Sequence, residues 1–282
     1  MKVLVTGATG FVGRHVVARL LARGHAVTAV GRDEAKARSL AWFERVRFIA
    51  CDIHDPQLDP AERFGQFDAA MHLAWPGLPN YGALFHYENT LPADYRFLKA
   101  LVQGSVGQLL VTGTCFEYGM QSGALAEHLP TAPANPYALA KDTLRKQLQS
   151  LQQQRAFTLQ WARLFYMHGE GQSPNSLLAQ LDRAIDTGDA SFNMSGGEQL
   201  RDYLPVEEVA ARSVSLLEHP DCKGVVNICS GTPTSVRRLA ERHLAGRGAT
   251  IRLNLGHYPY SSDEPMAFWG DAGRLAEVLR QS

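Results

Sequence analysis

The chain has 282 residues, and its 28 lysines and arginines balance 28 aspartates and glutamates. That length holds one large α/β domain, or a large domain with a small lobe, and the even charge points to neither nucleic acid nor an anionic membrane as partner. Met1–Val5 is too short an apolar run for a signal peptide, and no stretch approaches a membrane span, so a cytoplasmic protein is expected.

In chain order, short Val/Ile/Leu-rich runs alternate with longer helical patterns through about residue 165, the pattern of βαβ units on a parallel sheet. Strands are predicted at Lys2–Val5, Ala26–Val30, Val46–Ala50, Ala69–His72, Gln108–Thr112 and Thr158–Arg163. The apolar spacing of Val16, Val17, Leu20 and Leu21 predicts a helix over Val12–Leu21, stopped by Arg23-Gly24-His25. Longer helices are expected at Leu84–Gln103, with Pro92 as a kink, and at Pro136–Gln154. Beyond residue 165 glycines punctuate the chain, and helices are expected at Ser176–Asp186, Glu207–Glu218 and Ser235–His243. Cys51, Cys115, Cys222 and Cys229 lack metal-ligand spacing, so they read as reduced, mostly buried thiols, and no metal is expected.

Two motifs carry the chemistry. Thr6-Gly7-Ala8-Thr9-Gly10-Phe11-Val12-Gly13 follows the first apolar run and opens the first helical stretch, reading as strand, tight turn, helix. Gly7 permits the sharp turn, Gly10 lets backbone N–H groups approach a pyrophosphate, and Gly13 lets the helix sit on the strand. The helix N-terminus then offers free N–H donors to phosphates. At the end of the second strand stands Val30-Gly31-Arg32, without an acidic residue at Arg32 to hold a ribose 2′-hydroxyl. A guanidinium there can clamp a 2′-phosphate, so NADP(H) is expected in preference to NAD(H), which stays open; Asp33 either offsets Arg32 or is solvated. Asp52 is read either as an adenine contact or as a cap of the following turn.

The second motif, Tyr137-Ala138-Leu139-Ala140-Lys141, sets a phenol and an ammonium one helical turn apart. A tyrosine near its ordinary pKa is a poor acid–base catalyst, and the expectation is that the ammonium and an oxidised nicotinamide favour the phenolate. Tyr137 is then the proton donor to a carbonyl or acceptor from an alcohol, Lys141 tunes it and holds the nicotinamide ribose, and Thr114 donates a hydrogen bond to the substrate oxygen. The expected architecture is a Rossmann-type doubly wound parallel sheet. Residues 1–165 form the NAD(P)-binding domain, with later segments returning to it, and residues 166–282 are mainly a small substrate-binding lobe.

These residues resemble the extended short-chain dehydrogenase/reductases, the epimerase/dehydratase group acting on nucleotide sugars. The resemblance runs through Thr6–Gly13, Asp52, His72-Leu73-Ala74, Glu88-Asn89-Thr90, Thr112–Gly119, Pro136–Lys141, Arg163–Gln172, Gly196–Val209 and Gly231–Leu239. It implies Thr114, Tyr137 and Lys141 as the catalytic set. It further implies cofactor contacts from Gly7, Thr9, Gly10, Phe11, Val12, Gly13, Arg32, Asp52, Ile53, Leu73, Ala74, Asn89, Thr112, Tyr137 and Lys141. Arg201 of Arg201-Asp202-Tyr203 is the implied grip on the nucleotide diphosphate, with Gln199 in the same segment. Sugar dehydratases of the group have Thr-Asp-Glu where this chain has Thr114-Cys115-Phe116, so dehydration is not expected. Glu117 is read as a structural or substrate-contact residue, and Cys115 as facing the sugar or packed. Tyr166 replaces an Asn that contacts the sugar nucleotide, and Trp75 replaces a small residue, so it either walls the pocket or packs. His72 reads as a core histidine and His168 as a loop histidine within reach of substrate or solvated. Tyr258–Glu264 and Phe268-Trp269-Gly270-Asp271 resemble the sugar 4-ketoreductases, with Ser261 where an Arg is usual.

The resulting expectation is NADPH-dependent reduction of a nucleotide-linked 4-keto-6-deoxy sugar. The alternatives are a nucleotide-sugar 4-epimerase with tightly bound NAD, and, in another class, a non-catalytic NADP(H)-sensing protein. A homodimer pairing Leu84–Gln103 and Pro136–Gln154 across a two-fold axis is expected.

Overall fold

The structure, a computed structural model, describes residues 1–104 and 106–280; Ser105 of the expected cofactor domain and Gln281 and Ser282 of the expected lobe lie outside the described residues. Seven parallel strands form the central sheet: β1 (Lys2–Thr6), β2 (Ala26–Gly31), β3 (Arg47–Ala50), β4 (Ala69–His72), β5 (Gln108–Thr114), β6 (Thr158–Leu164) and β7 (Gly224–Ile228). Their spatial order is β7-β6-β5-β4-β1-β2-β3, so the direction of winding reverses between β1 and β4. That is the doubly wound Rossmann arrangement, and ligands bind beyond the carboxyl ends of the strands at such a reversal.

The helices are α1 (Phe11–Ala22), α2 (Glu34–Arg38), α3 (Pro60–Phe64), α4 (Leu91–Gln103), α5 (Pro136–Leu151), α6 (Leu177–Asp186), α7 (Val206–Glu218), α8 (Val236–Arg247) and α9 (Gly273–Leu279). The sheet is covered on both faces, and the pleat explains why apolar residues follow one another along its strands. Val3 and Val5 of β1, Met71 of β4, Leu110 of β5 and Ala162 of β6 pack with α1, α7 and α9. Leu4, Ala70, Leu109, Val111 and Trp161 point the other way, onto α3, α4 and α5. Each fully buried Val or Leu contributes roughly 1.5–3 kcal/mol of hydrophobic stabilisation. Two buried glutamines close the edge. Gln108 donates to the Leu217 carbonyl at 2.6 Å, and Gln160 donates to those of Leu216 and His219, tying the sheet to the C-terminal end of α7 and its cap.

Sequence and structure differ where long-range pairing or capping intervenes. Leu84–Gln103 is not one kinked helix: a π-helical turn, His86–Thr90, leads into α4, and Pro92 sits in the first turn, where its missing N–H costs nothing. Asn135 caps α5 by accepting the Ala138 N–H, Ser235 caps α8, and Ser176 precedes α6 as its N-terminal flanking residue. After residue 165 the chain returns to the sheet with β7, α7 and α9, and otherwise forms short strand pairs. These join Tyr166–His168 to Tyr203–Pro205, Leu200–Arg201 to Thr234–Ser235, Ser191–Asn193 to Arg252–Asn254, and Gly123–Leu125 to Phe268–Gly270. A separate small core from α6 and α8 holds Leu178, Leu181, Ala240 and Leu244. All four cysteines are free, with Cys115 and Cys229 buried and Cys51 and Cys222 half-buried. No described helix is long and apolar enough to cross a membrane.

Candidate active site

A cavity of about 820 Å³ runs across the carboxyl ends of the strands, from the glycine turn to Leu239 of α8. At its start Gly7 has φ +68°, a left-handed conformation, and a methyl group there would lie 2.7 Å from the Ala74 amide nitrogen. A methyl group on Gly13 would run into the Gly7 carbonyl. Gly10 caps α1 without a side-chain acceptor, and the first turn of α1 contains no acidic residue. The N–H groups at this helix end therefore remain available to an anion, and Gly7, Thr9, Gly10, Phe11, Val12 and Gly13 all line the cavity. The donor set and the close backbone approach fit the pyrophosphate of a dinucleotide.

Arg32, Asp52 and Ile53 line the next part of the cavity. Asp33 is exposed, and its carboxylate caps α2 by accepting the Lys36 N–H at 2.9 Å. Asp52 serves its turn, accepting the His54 N–H at 3.0 Å, while also facing the cavity. Lys36 and His54 line this end too and were not singled out from the sequence. Lys36 was findable, since it lies three residues past a helix-capping Asp; His54 was not, because its ring is aimed by Asp94 of α4, 2.7 Å away. Asp94 is fully buried between His54 and His72. Burial alone would push its carboxyl up, but His72 at 3.4 Å and the 2.7 Å hydrogen bond of His54 outweigh that and hold it at about 2. His72 is a core residue, with Thr6 Oγ1 2.9 Å from its Nδ1.

Leu73, Ala74, Thr112, Thr114, Tyr137 and Lys141 meet at the centre of the cavity. Tyr137 is 7% exposed and ringed by Trp75, Tyr81 and His86, with ring centroids 5.8, 5.5 and 5.4 Å away. Trp75 donates its indole N–H to His86 Nδ1 (3.0 Å), so the other nitrogen of His86 carries the proton to the Asn80 carbonyl (2.8 Å). Without a bound nicotinamide, these surroundings favour the neutral phenol. Burial pushes the Tyr137 phenol far up, the Glu117 carboxylate adds to it, and a Thr114 hydrogen bond pulls the other way. Lys141, 1% exposed, donates to the Thr112 carbonyl at 2.9 Å, and its ammonium lies 3.9 Å from the Trp75 ring centroid. Burial lowers Lys141 to about 8 against the opposing pull of Asp94 and Glu117.

Trp75, Cys115, Phe116, Tyr81, Tyr166 and Tyr203 make the far wall. Burial pushes the Cys115 thiol up, so it faces the cavity as a neutral group. His168 lines the cavity as well, and burial lowers its pKa. Four of the expected contacts lie off the cavity. Asn89 is exposed on the π-helical turn whose His86 and Thr90 point inward. Glu117 is turned into the core by a capping box with Thr114. Gln199 donates to Ser195 Oγ at 3.1 Å. Arg201 is held by Glu264 at 2.8 Å and by the carbonyls of Leu200 and Met266, with Phe268 beneath it. Glu264 also accepts the Tyr166 hydroxyl at 2.6 Å.

Fold and cavity define a dinucleotide-binding enzyme of the doubly wound α/β class. The chain belongs to the NAD dependent epimerase/dehydratase family, which it matches over residues 3–229. It is 28% identical over 272 residues to dTDP-6-deoxy-L-talose 4-dehydrogenase (NAD(+)) of Aggregatibacter actinomycetemcomitans, covering 96% of this chain and 99% of that protein. It is 27% identical over 306 residues to UDP-glucose 4-epimerase of Halalkalibacterium halodurans, covering 99% and 90%. Among solved structures it resembles MoeE5 in complex with UDP-glucuronic acid and NAD, at a TM-score of 0.85 and 26% identity over 99% of this chain and 93% of that one. The fold is also that of UDP-N-acetylglucosamine 4-epimerase from Methanobrevibacter ruminantium M1, with a TM-score of 0.87 at 24% identity, covering 98% and 91%.

Proposed function

We propose that this chain is a 4-ketoreductase that reduces a nucleotide-linked 4-keto-6-deoxy sugar, with NADP(H) as preferred cofactor. The observation that carries this reading is Tyr137, buried against the cavity together with Thr114 and one helical turn from Lys141. A bound nicotinamide supplies the hydride. Tyr137 gives its proton to the ketone oxygen, and the Thr114 hydroxyl donates to the same oxygen. Lys141 offsets the charge left on Tyr137 and reaches the cofactor's ribose. The wall of Trp75, Cys115, Phe116 and Tyr81 offers no ionised carboxylate or cation to the sugar, which suits a methyl group at C6. The full-length likeness to a 6-deoxysugar 4-dehydrogenase supports chemistry at C4. For the cofactor, Arg32 and Lys36 face the cavity while the nearby Asp33 carboxylate is engaged as a cap. The outer surfaces of α4 and α5 are our choice for a homodimer contact, which sedimentation would test.

A second reading, a 4-epimerase that retains NAD, is favoured by the near-complete overlap with UDP-glucose 4-epimerase. One experiment separates the two. Purified protein is mixed with NADPH and a dTDP-linked 4-keto-6-deoxy sugar, and nicotinamide absorbance and product are followed together. The reductase consumes one NADPH for each sugar reduced. Stoichiometric NAD in the purified protein, with interconversion of 4-epimers and no net oxidation of nicotinamide, would overturn it for the epimerase.

A further inference from the structure

Glu117 is fully buried and lies outside the cavity, yet its carboxylate collects donors from three directions. It accepts the Thr114 backbone N–H at 2.8 Å, the Trp161 indole N–H at 2.9 Å and the Arg163 Nε–H at 2.7 Å, and Arg145 Nε stands 3.9 Å away. Arg163 is 1% exposed, and its guanidinium rests over the Tyr118 ring at 4.4 Å.

A buried ion pair is a poor device for stability alone. Desolvating each ion costs several kcal/mol, and apolar side chains of similar volume commonly do as well or better. What this pair does accomplish is local. The turn Cys115–Tyr118 follows β5 directly, and Glu117 closes it on Thr114 in a reciprocal capping box. Thr114 Oγ1 accepts the Phe116 N–H at 3.3 Å, a contact that uses an oxygen lone pair and leaves the hydroxyl proton to be given away. No side chain fits at Gly113, where a methyl group would strike the Trp161 indole nitrogen and the Glu117 carboxylate. The turn that presents Thr114, Cys115 and Phe116 to the cavity is thus clamped from behind.

We propose that Glu117 is a positioning residue: through the Thr114 amide, Trp161 and Arg163 it fixes the turn so that the Thr114 hydroxyl stays directed at the reacting oxygen. This rests on the role given to Thr114 above. A misplacement of about 1 Å in such a donor costs up to about 100-fold in rate.

The test is a double-mutant cycle with Glu117→Gln and Thr114→Ala, read as kcat and KM together with NADPH binding by fluorescence. Thr114→Ala should lower kcat about 100-fold, in the range of a lost oxyanion donor. Glu117→Gln should lower kcat about 10-fold with KM and NADPH affinity within about twofold, and should change kcat less than twofold when added to Thr114→Ala. Multiplying effects in the double variant, or full kcat in Glu117→Gln, would overturn the proposal. Full kcat in Thr114→Ala would remove the role of Thr114 itself and this inference with it. If Glu117→Gln does not fold, the apolar pair Glu117→Leu with Arg163→Met replaces it: a folded protein that binds NADPH but has lost kcat supports the positioning role, and one at full speed refutes it.

Discussion

Replacing Lys141 by Met removes a charge that the fold holds against its preference. Burial takes the ammonium from its ordinary 10.5 to about 8, a fall that corresponds to about 3 kcal/mol of penalty on the charged form. Between about pH 8 and 10.5 the folded protein binds fewer protons at this site than the unfolded chain, so stability rises with pH there. Below about pH 8 both states are protonated and the penalty is fully present. Met fits the same apolar surroundings, but leaves the Thr112 carbonyl without the Lys141 donor, at a cost of about 1–3 kcal/mol. The two effects nearly cancel at neutral pH, so Lys141→Met should match or exceed the parent in stability while losing activity. Denaturant unfolding of both proteins at pH 7, 8.5 and 10 checks this, because other titrating groups cancel in the difference. The parent should gain about 2.5 kcal/mol on the variant across that range. A difference that stays flat with pH, or one that favours the variant increasingly as pH rises, would refute the reasoning.

Gly13→Ala should lower NADPH affinity at least about 10-fold and destabilise by about 1–3 kcal/mol, since its methyl group meets backbone at Gly7 and Ala8 and not a movable side chain; fluorescence titration and thermal melting measure both. Asp94→Asn leaves His54 and His72 without their carboxylate, so a loss of about 3 kcal/mol is expected. The same change removes a charge that holds Lys141 up, so the alkaline limb of kcat should move to lower pH in a pH–rate profile. Arg32→Ala with Lys36→Ala should raise KM for NADPH about 10-fold or more and leave KM for NADH within about twofold, in initial-rate assays with either cofactor.

Much of the fold is written locally. The strands from β1 to β6 announce themselves as short apolar runs because both faces are covered, and the glycine turn and the Tyr137/Lys141 spacing depend only on neighbours in the chain. β7 was hidden because Gly224–Ile228 becomes a strand through its pairing with Gln160–Leu164, some sixty residues earlier. Pro92 misled because a proline looks alike in the first turn and in the middle of a helix until the start is known. The pairing of Arg201 with Glu264 was not legible, because only tertiary folding brings together residues 63 positions apart. The enclosure of Tyr137 was equally invisible: the indole, phenol and imidazole around it come from a loop and turn more than fifty residues upstream.

That enclosure changes what the lysine is for. An ammonium that acidified Tyr137 before the reaction would stabilise a phenolate in the resting enzyme, whereas burial and the nearby Glu117 carboxylate push the phenol up. Interactions raise the rate only if they are stronger in the transition state than before it. As the proton leaves for the ketone oxygen, negative charge grows on Tyr137 inside a site of low dielectric, where an ammonium one helical turn away acts with little screening. Lys141 is already in place, pinned by the Thr112 carbonyl and the Trp75 ring, so no reorganisation is needed at that moment. The same charge that costs the folded chain stability at neutral pH is then repaid when Tyr137 ionises. Ketone reduction should therefore fall away as pH passes about 8, when Lys141 loses its proton, even though the phenol still holds its own.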